Sequence, residues 1–356
     1  MDFVTGSDPL LAAAVLIGGG ALLLSLALLV AILLLRLRLL LRLAHARRFA
    51  ERWHPVFAAC AVEVPEAAPR LAPEDGALFL QLWLRAQESL RGSAQQRLNA
   101  LATQVGADRL AVQFLSSGNP GREILALVAV GHLRLAGVWP LAEALAADAP
   151  PVVSLAAAQA LLRVDSVRAL GRVLALAAAR EDWPVSRVAA MLRECDVNDT
   201  GPALAAAIGA ELRAAPRGAG LARLLRLLGA TAAEAARPAV IEVLAHCDRP
   251  EVVAAALDTL WNPEDAGHAH ARLKHADWYV RLAAVKVLGR IGVSSDRGTL
   301  LGILSDPSWW VRYRAAQALA RLPGMNRDAL ARLRAAAQDR YAADMLGQVL
   351  SEMEVA

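Results

Sequence analysis

The stretch DPSWWVRYRAAQALARLPG at 306–324 repeats the pattern of ADWYVRLAAVKVLGRIG at 276–292. Each opens on an Asp-led turn, continues through an aromatic residue, Val-Arg and an Ala-Ala pair, and reaches a Leu near its end. A third copy, DAPPVVSLAAAQALLRV, lies at 148–164, and weaker copies lie at 119–137, 181–195, 216–230 and 249–262. With the Val of Val-Arg as reference, the equivalent positions are Leu125, Val153, Val185, Gly220, Val252, Val280 and Val311, a period of about 31 residues. That length is one helix–turn–helix unit with short connections. Such a unit cannot bury its apolar stripe alone, so neighbours must stack.

Composition agrees with helices. The chain is 56% hydrophobic but 4% aromatic, with Ala and Leu dominant. These residues favour helix, whereas strands favour β-branched and aromatic side chains. No strand-like alternation persists, so the expected fold class is all-α. In each copy the Asp is expected to cap the following helix, and Pro is tolerated in its first turn. Val, Ala and Leu at helical spacing form the buried stripe, and Ala permits close packing.

The motif Asp-Pro-x-x-x-Val-Arg-x-x-Ala-Ala-x-Ala-Leu resembles the HEAT family, in particular the short HEAT-like repeats also found in bilin lyases (PBS-lyase-type repeats). Asp306, Pro307, Val311, Arg312, Ala315, Ala316, Ala318 and Leu319 match it fully, and 277–288 matches without the Pro. The other copies lose the Arg, and the copy at Gly220 loses the Val. The resemblance spans roughly 110–350 and implies an α-solenoid, while saying little about activity.

The N-terminal stretch is of another kind. Leu10 to Leu35 carries no charge over 26 residues, enough helix to cross a hydrocarbon core of roughly 30 Å. Asp2 and Asp8 precede it, and no basic residue does, unlike a secretory signal. Arg36, Arg38, Arg42, Arg47, Arg48 and Arg52 follow at once, and by the positive-inside rule they stay cytoplasmic. This predicts a single-pass inner-membrane protein, N-terminus out, repeats in the cytoplasm. Gly18, Gly19 and Gly20 could allow close approach of another membrane helix or simply be tolerated in a lone anchor. Outside residues 1–52 the chain holds 32 basic and 31 acidic side chains. The net charge of +4 is therefore a membrane-flank signal, and no nucleic-acid partner is expected.

The expected layout is a short outer N-terminus (1–9), a transmembrane helix (10–35), a basic juxtamembrane helix (36–61) and a Pro-rich linker (62–76). An N-terminal helical cap (77–117), HEAT-like repeats (118–324) and a C-terminal cap (325–356) follow. Cys60, Cys195 and Cys247 form no CxxC pair, which fits a reducing compartment.

Candidate binding residues cluster toward the C-terminus. Trp278, Trp309, Trp310 and Tyr313 supply aromatic anchors or pack between repeats. Lys286, Arg290, Arg314 and Arg321 supply a basic face for a protein partner. Arg163, Arg290 and Arg321 share one repeat position. Arg281 and Arg312 are expected to pair with Asp of their own or adjacent turns. His246, Cys247, His268, His270 and His275 have no zinc-site spacing, and no catalytic or cofactor motif is recognisable. The leading expectation is a membrane-tethered scaffold or accessory subunit. Its partner would be a protein, itself a membrane protein in one version, such as an enzyme of envelope polysaccharide synthesis. The alternative is a HEAT-like enzyme of the bilin-lyase or DNA-glycosylase type.

Overall fold

The structure is a computed structural model that describes residues 9–214, 218–231 and 234–355. Residues 1–8, with Asp2 and Asp8, lie outside them. The described residues contain no strand, and they divide into two compact units, 1–114 and 115–356.

The first unit begins with α1, Pro9–Ala59, continues with α2, Gly76–Ser89, and α3, Ser93–Gln104, and ends in α4, Ala107–Leu115. From Gly18 to Ala59 the first helix is long and apolar enough to cross a membrane, and its most apolar window is entirely unburied. Its last turns differ. Phe49, Trp53 and Phe57 recur every four residues, so they share one face. All three are buried, with Trp53 and Phe79 completely so. The Trp53 ring meets Phe79 edge-on at 4.8 Å between centroids. Burial of each such ring contributes roughly 2–3 kcal/mol.

Side chains from α1 and α3 reach the end of α1 and two points of the stretch 62–76. Arg97 donates to the carbonyls of Cys60 at 2.8 Å and Ala61 at 2.5 Å, satisfying the C-terminal end of α1. Gln104 donates to the Glu66 carbonyl, and His45 lies 2.5 Å from Asp75. Within 62–76, α3 thus supplies one donor, Gln104, to a main-chain carbonyl.

The second unit alternates two layers. In chain order its helices are α5 Pro120–Leu133, α6 Trp139–Asp148, α7 Pro151–Val164, α8 Ser166–Ala179 and α9 Val185–Leu192. Next come α10 Val197–Ala214, α11 Ala219–Thr231, α12 Arg237–His246, α13 Pro250–Asp258 and α14 Ala266–His270. The series ends with α15 Trp278–Ile291, α16 Arg297–Ile303, α17 Trp309–Arg321, α18 Arg327–Ala336 and α19 Arg340–Val355. Odd-numbered helices pack in succession from α5 to α19, and the even-numbered helices back them. The Ala-rich stripe forms the interior: Val280, Ala284, Val287 and Leu288 of α15 and Val311, Ala315, Ala316 and Leu319 of α17 are fully buried.

Glycine sets the closest approach between successive odd helices. A Cβ on Gly289 would lie 3.1 Å from the Ala318 side chain, and one on Gly131 would lie 3.4 Å from the Ala160 backbone. Gly229 faces Thr259 in the same way. These pairs share one repeat register. They place Arg122, not Leu125, at the reference position of α5. Gly220, where the motif loses its Val, comes within 3.1 Å of the Ala178 carbonyl by the same measure. A β-branched residue would not fit.

Capping departs from the sequence expectation. Asp165 does cap α8, accepting from Arg168 N–H, and Asn119 caps α5. Asp306 instead accepts from Ser308 N–H at 2.8 Å within the turn before α17. Its carboxylate is turned to the preceding repeat, where Arg281 takes both oxygens.

Candidate protein-binding groove

The odd-numbered helices present one face outward between their buried stripes. Two adjoining depressions lie along it. The larger, about 470 Å³, is lined from α11, α13 and α15 by Arg226, Glu251, Asp258, Tyr279 and Arg290 among others. The smaller, about 150 Å³, lies between α15 and α17 and is lined by Lys286, Gly289, Arg290, Arg314, Gln317, Ala318 and Arg321. All four basic candidates therefore meet at one place, and no acidic residue lines it. Their helical spacing, with Arg314, Gln317 and Arg321 on one face of α17, is what brings them together.

They are not equivalent. Arg290 donates to the carbonyls of Leu257, Asp258 and Leu260 at 3.1–3.3 Å, and its guanidinium lies 4.6 Å from the Trp261 ring centre. Burial pushes its pKa below the usual arginine value, and Asp258 opposes that shift. Arg290 thus closes the C-terminal end of α13, whose last carbonyls lack intrahelical partners. Lys286 stands 3.8 Å from Asp258, and Arg314 donates to Gln317 at 2.7 Å. Arg321 is exposed, and no hydrogen bond or ion pair among the described residues engages it.

Other arginines work as Arg290 does. Arg180 donates to the carbonyls of Ala147 and Ala149 at the end of α6, and Arg223 to those of Ala177 and Trp183. Arg281 is bidentate on Asp306, as expected of a motif arginine. Arg312 differs: it donates to the Asp306 and Pro307 carbonyls and lies over the Tyr341 ring, without a carboxylate partner. At the equivalent position four repeats before Arg290, Arg163 donates through Nε and Nη2 to Glu194 Oε2 and also to His132 Nε2. Burial, then the Arg163 charge, lowers the His132 pKa to about 4, so the ring stays a neutral acceptor.

The aromatic candidates separate from the basic ones. Trp278 and Trp309 open α15 and α17, whereas Arg290 and Arg321 close them, about 18 Å away along each helix. Trp278, Trp309 and Trp310 are 44%, 43% and 56% exposed, in contrast to the fully buried Trp183. Trp309 stacks on Tyr313 at 5.3 Å and meets Trp310 edge-on. Tyr313 donates to Glu352 of α19 at 2.7 Å, which holds that carboxyl below and the phenol above their usual ranges.

Beyond the candidate sets, the groove also holds Trp261 and Tyr279, whose aromatic character at repeat positions is visible in the sequence, and Glu251 and Asp258, which carried no sequence signal of their own. Trp261 is 63% exposed and sits at the basic end of α15. Glu251, Asp258 and Tyr279 line the larger depression. Their positions relative to the reference Val could have exposed Glu251 and Tyr279, since both precede it by one. The histidines find separate local partners: His270 with Asp296, His275 with the Asp277 N–H, His246 with the Glu242 carbonyl.

A family model described as HEAT repeats matches residues 266–351. No curated protein matches the chain in sequence. A crystal structure of an engineered protein is 16% identical to it, covering 79% of this chain and 96% of that one, with a TM-score of 0.30. HEAT repeats are a protein-interaction kind of scaffold. The matched residues run from α14 into α19, through the two copies in which the motif is most complete, and the same two-layer stacking extends back to α5. Over residues 266–351 the chain is thus a HEAT-repeat protein, and its fold is a HEAT-like helical stack.

Proposed function

We propose that the chain is a membrane-tethered scaffold or accessory subunit whose C-terminal repeats hold a protein partner. The exposed tryptophans carry this reading: Trp278, Trp309 and Trp310 lie open at the starts of consecutive repeat helices in a protein that buries Trp53, Trp83 and Trp183 completely. Exposed Trp is among the side chains from which binding hot spots are made.

The tether is α1. Its large apolar residues from Leu22 to Leu43 are about half exposed or more, a cost in water that lipid removes. The helix continues unbroken into the buried Phe49–Trp53–Phe57 layer, which favours retention over cleavage. Arg36, Arg38, Arg42, Arg47, Arg48 and Arg52 point all round the helix. They form a collar suited to cytoplasmic headgroups. On this reading the repeats face the cytoplasm at the inner membrane. The partner is best sought among membrane proteins at that surface, envelope polysaccharide-synthesis enzymes included.

The test has two arms. Reporters fused after residue 356 read topology, and periplasmic activity alone overturns the orientation. Detergent-solubilised affinity purification then compares the parent with Trp309→Ala/Trp310→Ala. Because both rings are exposed, the variant should melt within a few degrees of the parent and lose its co-purifying protein. A sharply lowered melting temperature, or a partner fully retained, overturns the anchor role of these residues.

A further inference from the structure

Glu194 shows how this scaffold binds a carboxylate on its groove face. It accepts from Arg163 Nε at 3.1 Å and Nη2 at 3.0 Å, and from Gln159 Nε2 at 3.3 Å. Gln159 and Arg163 lie six and ten residues after the reference Val153. Gln317 and Arg321 stand at the same two positions after Val311, in the repeat that bears Trp309 and Trp310.

The two sites differ in what fills them. At α7 the chain supplies its own carboxylate from the turn that follows the next odd helix. At α17 the acid that reaches Gln317, Glu352, accepts from it at 3.4 Å, from Tyr313 at 2.7 Å and from Gln348 at 3.0 Å, and no hydrogen bond among the described residues joins it to Arg321. Arg321 is left unengaged, and Lys286 and Arg314 stand at the same depression. Gly289 and Ala318 also line it, and between them they contribute a single methyl group.

We propose that this depression is a carboxylate-binding site for an acidic, extended segment of the partner protein, with Arg321 and Arg314 taking the side chain and Lys286 completing the charge. The proposal rests on the scaffold reading above and gives that partner its chemistry. An acidic peptide fits better than a nucleic acid for a reason on the same face. Glu251 and Asp258 line the adjoining depression, so a continuous polyanion running along the groove would meet repulsion one helix away, whereas a short acidic segment would not.

The experiment uses the full chain in detergent micelles and measures fluorescence anisotropy. The probes are a dye-labelled octapeptide of alternating Glu and Gly, its Gln counterpart, and a labelled single-stranded oligonucleotide. The Glu peptide should bind at low salt, and the Gln peptide at least tenfold more weakly. Arg314→Glu/Arg321→Glu should weaken the Glu peptide at least tenfold. Arg297→Glu/Arg332→Glu imposes the same charge change on even-numbered helices and should alter it less than twofold. Arg321→Ala alone, at an exposed position, should weaken it severalfold with an unchanged circular dichroism melt. Equal loss in the control reversal would reduce the effect to net charge and overturn the site. Equal binding of the Gln peptide, or tighter binding of the oligonucleotide, would overturn the assigned ligand. The assay needs no partner, so its failure removes the carboxylate site alone. Absence of any protein retained in the affinity purification removes the scaffold reading alone.

Discussion

Arg281 of one repeat grips Asp306 of the next through two hydrogen bonds, Nε to Oδ2 at 2.7 Å and Nη2 to Oδ1 at 2.9 Å. The carboxylate is buried, and the same guanidinium donates to the His275 and Ala276 carbonyls. One side chain therefore ties a turn to its neighbour. Removing one partner leaves the other charge buried, which costs roughly 3 kcal/mol or more. Arg281→Ala should lower stability by about that amount, and Arg281→Lys should recover only part, because lysine lacks the planar fork. Denaturant titration of the three proteins checks this. A full recovery by lysine would show that charge alone matters there.

Gly289 and Gly302 should respond oppositely to a side chain. Gly289→Val pushes against Ala318, which sits 3.1 Å from the new Cβ. It should cost about 1–3 kcal/mol through overpacking. Gly302 of α16 has open space around it. There Gly302→Ala should stabilise by up to about 1 kcal/mol through helix propensity. Thermal melts of both variants give the comparison, and like signs would contradict the close approach of α15 to α17.

The position of a soluble boundary follows from the aromatic layer of the first unit. A chain beginning near Arg47 retains Phe49, Trp53 and Phe57 against Phe79, whereas one beginning at Ala77 uncovers Phe79 and Leu80, both fully buried. The shorter chain should bind a hydrophobic dye and aggregate, and the longer should stay dispersed. Size-exclusion chromatography distinguishes them. Equal behaviour would mean that α1 contributes nothing to the first unit.

His132 makes stability fall in acid. Its folded pKa of about 4 lies below the unfolded value near 6.5. The contribution is thus whole above about pH 6.5 and is lost as pH falls toward 4, where the unfolded chain binds the proton first. After screening at a partly open site, the loss should amount to about 1–2 kcal/mol. His132→Gln keeps an acceptor for Arg163 without titrating. Its stability should be flatter over that range than the parent's, as urea midpoints at several pH values would show.

The register of the first repeat shows where sequence reading stops. The motif alignment puts Leu125 at its reference position. The contact of Gly131 with Ala160 moves that role to Arg122, because the equivalence is fixed by which backbones touch. Prolines mark 62–76 as a linker in the sequence but do not report the Gln104 side chain, which reaches the Glu66 carbonyl from 38 residues away.

Period, composition and motif by themselves determined an all-α stack of HEAT-like units, because a stripe of Val, Ala and Leu at helical spacing has few other ways to leave water. They also determined one apolar N-terminal helix of membrane-crossing length. Only the tertiary structure decided which polar side chains remain available. Arg163, Arg290 and Arg321 share a repeat position and residue type, yet the first is neutralised by Glu194, the second closes the end of α13, and the third is exposed and unengaged. Helical periodicity sets the face on which a residue lies. What that residue meets is set by side chains from neighbouring repeats, and their identities are not periodic.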